Sequence, residues 1–156
     1  MRLALFQPDI PQNLGAAIRL GACLGVPIEV VEPCGFPLSD SAVRRAALDY
    51  AAQAEVTRHA GWADFTAAMR GKQRRLILFS TQSNQEFQHF QYHPDDVLLF
   101  GRESAGVPDA VHDAVDAALL IPLSAGARSL NVVNAAAIAL CEALRQTDGF
   151  PKRAPP

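Results

Sequence analysis

Five short runs in this chain are apolar almost throughout: Leu3 to Phe6, Ile28 to Val31, Leu76 to Phe79, Val97 to Phe100 and Ala118 to Pro122. A strand with one face in water alternates apolar and polar residues. A strand apolar at both parities has to be covered on both faces, which is the condition of a parallel sheet between two layers of helices. The segments between the runs supply those layers. Helical patterns occupy about Gln12 to Leu24, a short stretch containing Arg44 and Arg45 that Ser39 or Asp40 can cap, Trp62 to Met69, Pro108 to Val115, and Asn131 to Arg145. Glu55 to Arg58 reads as one further, weaker strand. The expected fold class is therefore α/β with a parallel sheet, and ligands of such sheets bind beyond the carboxyl ends of the strands. The loops after Phe6, Phe100 and Pro122 are the ones to search.

A length of 156 residues predicts one domain over 1–156, with a flexible tail over about 149–156, where Pro151, Pro155 and Pro156 gather. With 49% hydrophobic and 19% charged residues, the chain is neither disordered nor low in complexity. Its net charge of −2 excludes coating of nucleic acid by bulk attraction, so any RNA must be held by a local patch. Of the 14 basic residues only Lys72 and Lys152 are lysines. Arginine suits forked contacts to phosphate, although an equally high alanine content also fits a coding bias. Cys23 and Cys141 lie in apolar helical stretches and are expected to be buried thiols, and no Cys pair has metal-ligand spacing. His89 and His93 are four apart, but the Gln-rich stretch ending at Pro94 reads as a loop, so no metal site is expected. Met1-Arg2 leads directly into a strand, and no apolar run approaches the ~20 residues that span a bilayer. The expectation is a cytoplasmic protein with no membrane contact.

Three polar clusters fall in or beside the chosen loops. The first runs from Asn13 to Arg19, where Gly15 permits the close approach of another backbone or of a ligand. Arg19 there sits in a largely apolar helix, either snorkelling to solvent or serving a function. The second, Gly101-Arg102-Glu103-Ser104-Ala105-Gly106, follows a strand and carries no phosphate-loop lysine, which suits a neutral or cationic ligand. The third, Arg128-Ser129-Leu130-Asn131-Val132-Val133-Asn134, opens the last helix. Helix capping explains one or two of its polar side chains but not all of them. Ser129 lacks the GxSxG setting of a hydrolase nucleophile.

In this order and spacing the NxGxxxR, FGxExxG and RSLNxxN patterns resemble the SPOUT superfamily of methyltransferases. Within it the chain is similar to the small family of tRNA (cytidine/uridine-2'-O-)-methyltransferases that act at the wobble nucleotide and consist of the catalytic domain alone. Glu32-Pro33, Gly35-Phe36, Arg44-Arg45 and Leu48-Asp49-Tyr50 match that family's pattern too. The resemblance implies a Rossmann-like SPOUT fold with a deep trefoil knot at the carboxyl end. It also implies S-adenosylmethionine as methyl donor with no metal, and a homodimer acting on the tRNA anticodon stem-loop. The residues it implies as catalytic are Arg19, Ser129 and Asn131. Those it implies for the donor are Phe79, Gly101, Glu103, Gly106, Ile121, Ser129, Leu130 and Asn134. Glu103 has two open roles, facing the sulfonium or holding its own loop. Arg19, Arg44, Arg45, Arg102 and Arg128 are the candidate RNA patch. The chain departs from the family's pattern at Val133 and Cys141. Two alternatives stay open: the same chemistry on another tRNA or rRNA nucleotide, and a knotted RNA-binding protein without catalysis.

Overall fold

In the computed structural model the apolar runs pair into one parallel sheet. Residues 1–39 and 41–152 are described, apart from the side chain of Ala51. The strands are β1 (Arg2–Phe6), β2 (Ile28–Val31), β3 (Val56–His59), β4 (Leu76–Phe79), β5 (Val97–Phe100) and β6 (Ala117–Leu119), in the order β3-β2-β1-β5-β4-β6. The chain steps outward from β1 to β3 on one side and then fills the other side. The direction of winding thus reverses between β1 and β5, which pair from Arg2 with Val97 to Leu5 with Phe100. A crevice opens at such a switch point.

The strands are apolar at both parities because each parity feeds a separate core. Leu3, Leu5, Ile77, Phe79, Leu98 and Phe100 face one layer, built from α1 (Pro11–Leu24), α2 (Ser41–Ala47) and α5 (Val132–Gln146). Ala4, Phe6, Leu76, Leu78, Val97 and Leu99 face the other, with Phe65 and Met69 of α3 (Trp62–Arg70) and Val111 of α4 (Asp109–His112). Pro11 opens α1 at its first position, where a missing N–H costs nothing, and Gly25 closes it in the left-handed region at φ 66°. The room left by Gly15 is taken by α2: a Cβ there would sit 2.4 Å from the Val43 carbonyl oxygen. Glu29, the polar exception in β2, is buried between Arg2 and His59, whose Nε2 lies 2.6 Å from Glu29 Oε2. Asp96 is also buried; its carboxylate accepts from Arg75 at 2.8 and 2.7 Å and from the His93 N–H at 2.8 Å.

Four expectations change. Cys23 and Cys141 are exposed rather than buried. Cys23 lies one helical turn beyond exposed Arg19, and Cys141 shares the outer stripe of α5 with Ile138 and Arg145. The helix expected over Pro108 to Val115 is only the four residues of α4. Asp116 ends it early by bonding both ways to Leu76, N–H to carbonyl at 2.9 Å and Leu76 N–H to carboxylate at 2.7 Å. The last strand stops at Leu119, because Leu120 turns to pair with Gln85 and Phe87. His89 ends a single turn beside Glu86 and gathers no ligand set. The cap candidate Asp40 and tail residues 153–156 lie outside the described residues. No helix among the described residues is long and apolar enough to cross a membrane.

Candidate active site

A cavity of about 510 Å³ opens at the carboxyl ends of β4, β5 and β6, a size suited to a small organic ligand. Four segments wall it: Ile10 and Asn13 at the start of α1, residues 79–82 after β4, the loop 101–107 after β5, and residues 120–132 leading into α5. Phe79 and Phe100 end neighbouring strands, and their rings stack at 4.9 Å and 10°.

The loop after β5 depends on its two glycines. Arg102 and Gly106 exchange reciprocal backbone hydrogen bonds of 2.9 Å, which close the loop into a tight hairpin. Gly106 occupies the left-handed region at φ 66°. A Cβ on Gly101 would stand 2.5 Å from the Gly106 carbonyl carbon, so Gly101 has no room for a side chain unless the backbone moves, whereas at Gly106 the space is open and the backbone angle is the constraint.

Glu103 ties this loop to the rest of the cavity. Its carboxyl accepts from the Asp9 N–H at 3.1 Å and from Asn13 Nδ2 at 2.8 Å. Asn13 Oδ1 in turn accepts from Asn131 Nδ2 at 3.0 Å. Asn131 Oδ1 caps α5, accepting from the N–H groups of Val133 at 2.9 Å and Asn134 at 3.4 Å. One polar chain thus joins the β5 loop, α1 and α5. Burial pushes the Glu103 carboxyl above its ordinary range, and its hydrogen bond with Asp9 adds to the rise. The same bond holds Asp9 below the usual range, with Ser104 Oγ also donating to Asp9.

On the opposite wall, the N–H and C=O groups of Ile121 and Leu130 bond to no described residue, and both residues line the cavity. Ile121 is half-buried and Leu130 exposed, so these backbone groups are open to a polar ligand in the cavity. The Leu120 segment is held by Gln85, whose carbonyl accepts its N–H at 2.7 Å, and by the Phe87 N–H at 2.9 Å.

Phe79, Gly101, Glu103, Gly106, Ile121, Ser129, Leu130 and Asn131 all line this one cavity, although they come from loops far apart in the sequence. Asn134 and Arg19 do not. Asn134 is exposed on α5, and Arg19 is exposed on α1 with its guanidinium 5.4 Å from the Tyr50 ring centre. Sequence reasoning passed over Asp9 and Ile10, which a Pro8-to-Pro11 turn brings to the rim, and residues 80–82. Of the eleven described arginines, six pair with carboxylates: Arg2, Arg58, Arg70, Arg74, Arg75 and Arg145. Arg19, Arg44, Arg45, Arg102 and Arg128 have no carboxylate partner among the described residues. These five are the RNA-patch candidates read from the sequence. Arginines left unneutralised are free for phosphate.

Comparison with known proteins agrees with this geometry. Residues 1–141 match the SpoU rRNA Methylase family. A Beijerinckia indica protein named tRNA (cytidine(34)-2'-O)-methyltransferase is 53% identical over 150 residues, covering 96% of this chain and 94% of that protein. A solved structure concerned with "structural insights into the 2-OH methylation of C/U34 on tRNA" aligns at a TM-score of 0.89 and 37% identity, over 93% of this chain and 94% of that one. The AdoMet-bound rRNA methyltransferase from Sinorhizobium meliloti aligns at a TM-score of 0.84 and 29% identity, over 92% of this chain and 55% of that one. With the match running through most of the sequence and the motif-bearing loops meeting at one cavity, this chain belongs to the SpoU rRNA methylase family.

Proposed function

We propose that this chain is a tRNA 2'-O-methyltransferase that moves a methyl group from S-adenosylmethionine to the ribose 2'-OH of nucleotide 34, a cytidine or uridine. The observation that carries the reading is the 53% identity, over nearly the whole chain, to a relative named for that reaction at cytidine 34. The cavity fits the donor. It offers unpartnered backbone groups at Ile121 and Leu130, stacked rings at Phe79 and Phe100, and no lysine-bearing phosphate loop, which a donor without phosphate does not need. Use of this donor is further supported by the AdoMet-bound relative.

When bound, the donor supplies an electrophilic methyl group on a sulfonium centre, chemistry that needs no metal to activate it. The residues proposed to hold it are Phe79, Gly101, Glu103, Gly106, Ile121, Ser129 and Leu130. Ser129 and Asn131 stand at the mouth, where Asn131 fixes the cap of α5 and the position of Asn13. Arg19 is assigned to the site of a second subunit, because it is exposed, has no carboxylate partner and lies off its own cavity. There it orients the substrate phosphate and stabilises the developing 2'-alkoxide. A guanidinium stays charged throughout the working pH range, which makes it an electrostatic group and not a base. Alignment carries much of the rate, since well-placed reactants reach effective molarities of about 10⁵ M or more.

The proposal includes a homodimer and a knotted carboxyl end. The outer stripes of α1 and α5, with Cys23, Cys141 and a 39% exposed Ile138 on them, offer faces for a second copy. Residues 83–92 hold the chain on both sides of the passage to α5. Gln85 and Phe87 grip Leu120, while the Tyr92 N–H and the Phe90 carbonyl bond to Gln146 at 3.1 and 3.0 Å. Such a loop is what a threaded carboxyl end would pass through. A single domain working in the cytoplasm on the anticodon stem-loop completes the reading. Incubation with labelled donor and total tRNA, followed by mapping of the methylated nucleoside, tests it. Label at ribose 34 is expected; donor binding with no label in any tRNA, or label only elsewhere, would overturn it.

A further inference from the structure

Among the described residues Arg102 is the only arginine or lysine lining the cavity. It stands in the tightest part of the site, between Gly101 and the reciprocal bonds to Gly106, so its backbone position is fixed. Its side chain is half-buried. It has no carboxylate partner and no hydrogen-bond acceptor among the described residues; its one contact is with the Phe6 ring, whose centre lies 6.0 Å from Cζ. The adjacent Glu103 cannot neutralise it, because that carboxyl is engaged by Asp9 and Asn13. Phe6 is itself braced edge-on by Trp62 at 5.9 Å, which makes a firm shelf beneath the guanidinium. A fork of N–H donors, unspent and held over the Phe6 ring on a rigid loop that lines the cavity, is a site for an oxyanion.

We propose that Arg102 is a positioning residue that grips an oxyanion of the bound reactants. The inference rests on the methyltransfer reading above and gives a specific task to a residue so far named only as one of five candidates for an RNA patch. Two oxyanions would reach this loop: the carboxylate of the donor's amino-acid part, and a phosphate flanking the target nucleotide. Both want the same forked contact, and they are separable by experiment.

Arg102→Gln removes the charge and keeps much of the side-chain length, and Arg102→Lys keeps the charge and removes the fork. Calorimetry with S-adenosylhomocysteine and with methylthioadenosine, which lacks the amino-acid part, is combined with binding of a tRNA transcript across salt concentrations. The expected loss in Arg102→Gln is roughly ten- to a hundredfold for the ligand carrying the oxyanion, with Arg102→Lys intermediate. Weaker S-adenosylhomocysteine with unchanged methylthioadenosine identifies the carboxylate. Weaker tRNA with a salt slope shallower by about 0.7 identifies the phosphate. Equal weakening of both nucleosides would mean a merely structural role and overturn the proposal, as would affinities all within twofold of the unsubstituted protein. An unsubstituted protein that binds neither donor product nor tRNA would overturn the methyltransfer reading, and this inference with it.

Discussion

Arg19→Ala is expected to lower methyl transfer to tRNA by roughly 10²-fold or more while leaving affinity for S-adenosylhomocysteine within about twofold. The two halves of that result have separate causes. Arg19 lies on the outside of α1, its guanidinium over Tyr50 and absent from the cavity lining, so the donor site loses nothing when it is cut back. In the proposed mechanism, transfer depends on a cation near the ribose as the 2'-oxygen gains charge, and Arg19 is assigned that task from a neighbouring subunit. Mixing Arg19→Ala with a variant defective only in donor binding should restore part of the activity, because one hybrid site in the dimer is then intact. Loss of donor binding in Arg19→Ala, measured by calorimetry, would contradict the assignment.

Glu103→Ala is expected to weaken donor-product binding by roughly ten- to a hundredfold, and Glu103→Gln by much less. The carboxyl is half-buried and its oxygens are taken by the Asp9 N–H and by Asn13. Deleting it strands those donors, at a cost of about 1–3 kcal/mol. It also cuts the chain of bonds that runs through Asn13 to Asn131 and the cap of α5. Burial and the hydrogen bond with Asp9 both push this carboxyl above its ordinary range. Glutamine restores an acceptor oxygen for Asn13 and keeps the side chain's volume, losing only the acceptor for the Asp9 N–H. If the carboxylate instead acted by facing the sulfonium, Gln and Ala would be equally damaging. Binding titrations of the two variants therefore separate the two roles left open by the sequence.

The sheet was legible because its strands carry apolar residues at both parities, and only a doubly covered parallel sheet accommodates that. Helix phase was less so. In α1 and α5 alanine fills buried and half-buried positions alike, which blurs the amphipathic contrast; Cys23 and Cys141 therefore read as core although they face outward. The extent of α4 depended on a tertiary event, the two bonds between Asp116 and Leu76 across the sheet, which no local pattern announces. The cavity was legible in outline because Gly101, Gly106, Ser129 and Asn131 sit in loops that follow strands or start a helix. Asp9, Ile10 and residues 80–82 join them only because β5 inserts between β1 and β4, a strand order set by long-range pairing. Arg19 carried a recognisable motif, but the motif did not announce that it lies off its own chain's cavity.

The most direct measurement is a crystal structure of the protein with S-adenosylhomocysteine bound. The nucleoside should lie between the loop 101–107 and residues 129–132, with the Ile121 and Leu130 backbone groups taking up its polar atoms. Density for the ligand on any other surface, with the two loops unliganded, would contradict the convergence of these distant segments into one methyl-donor site.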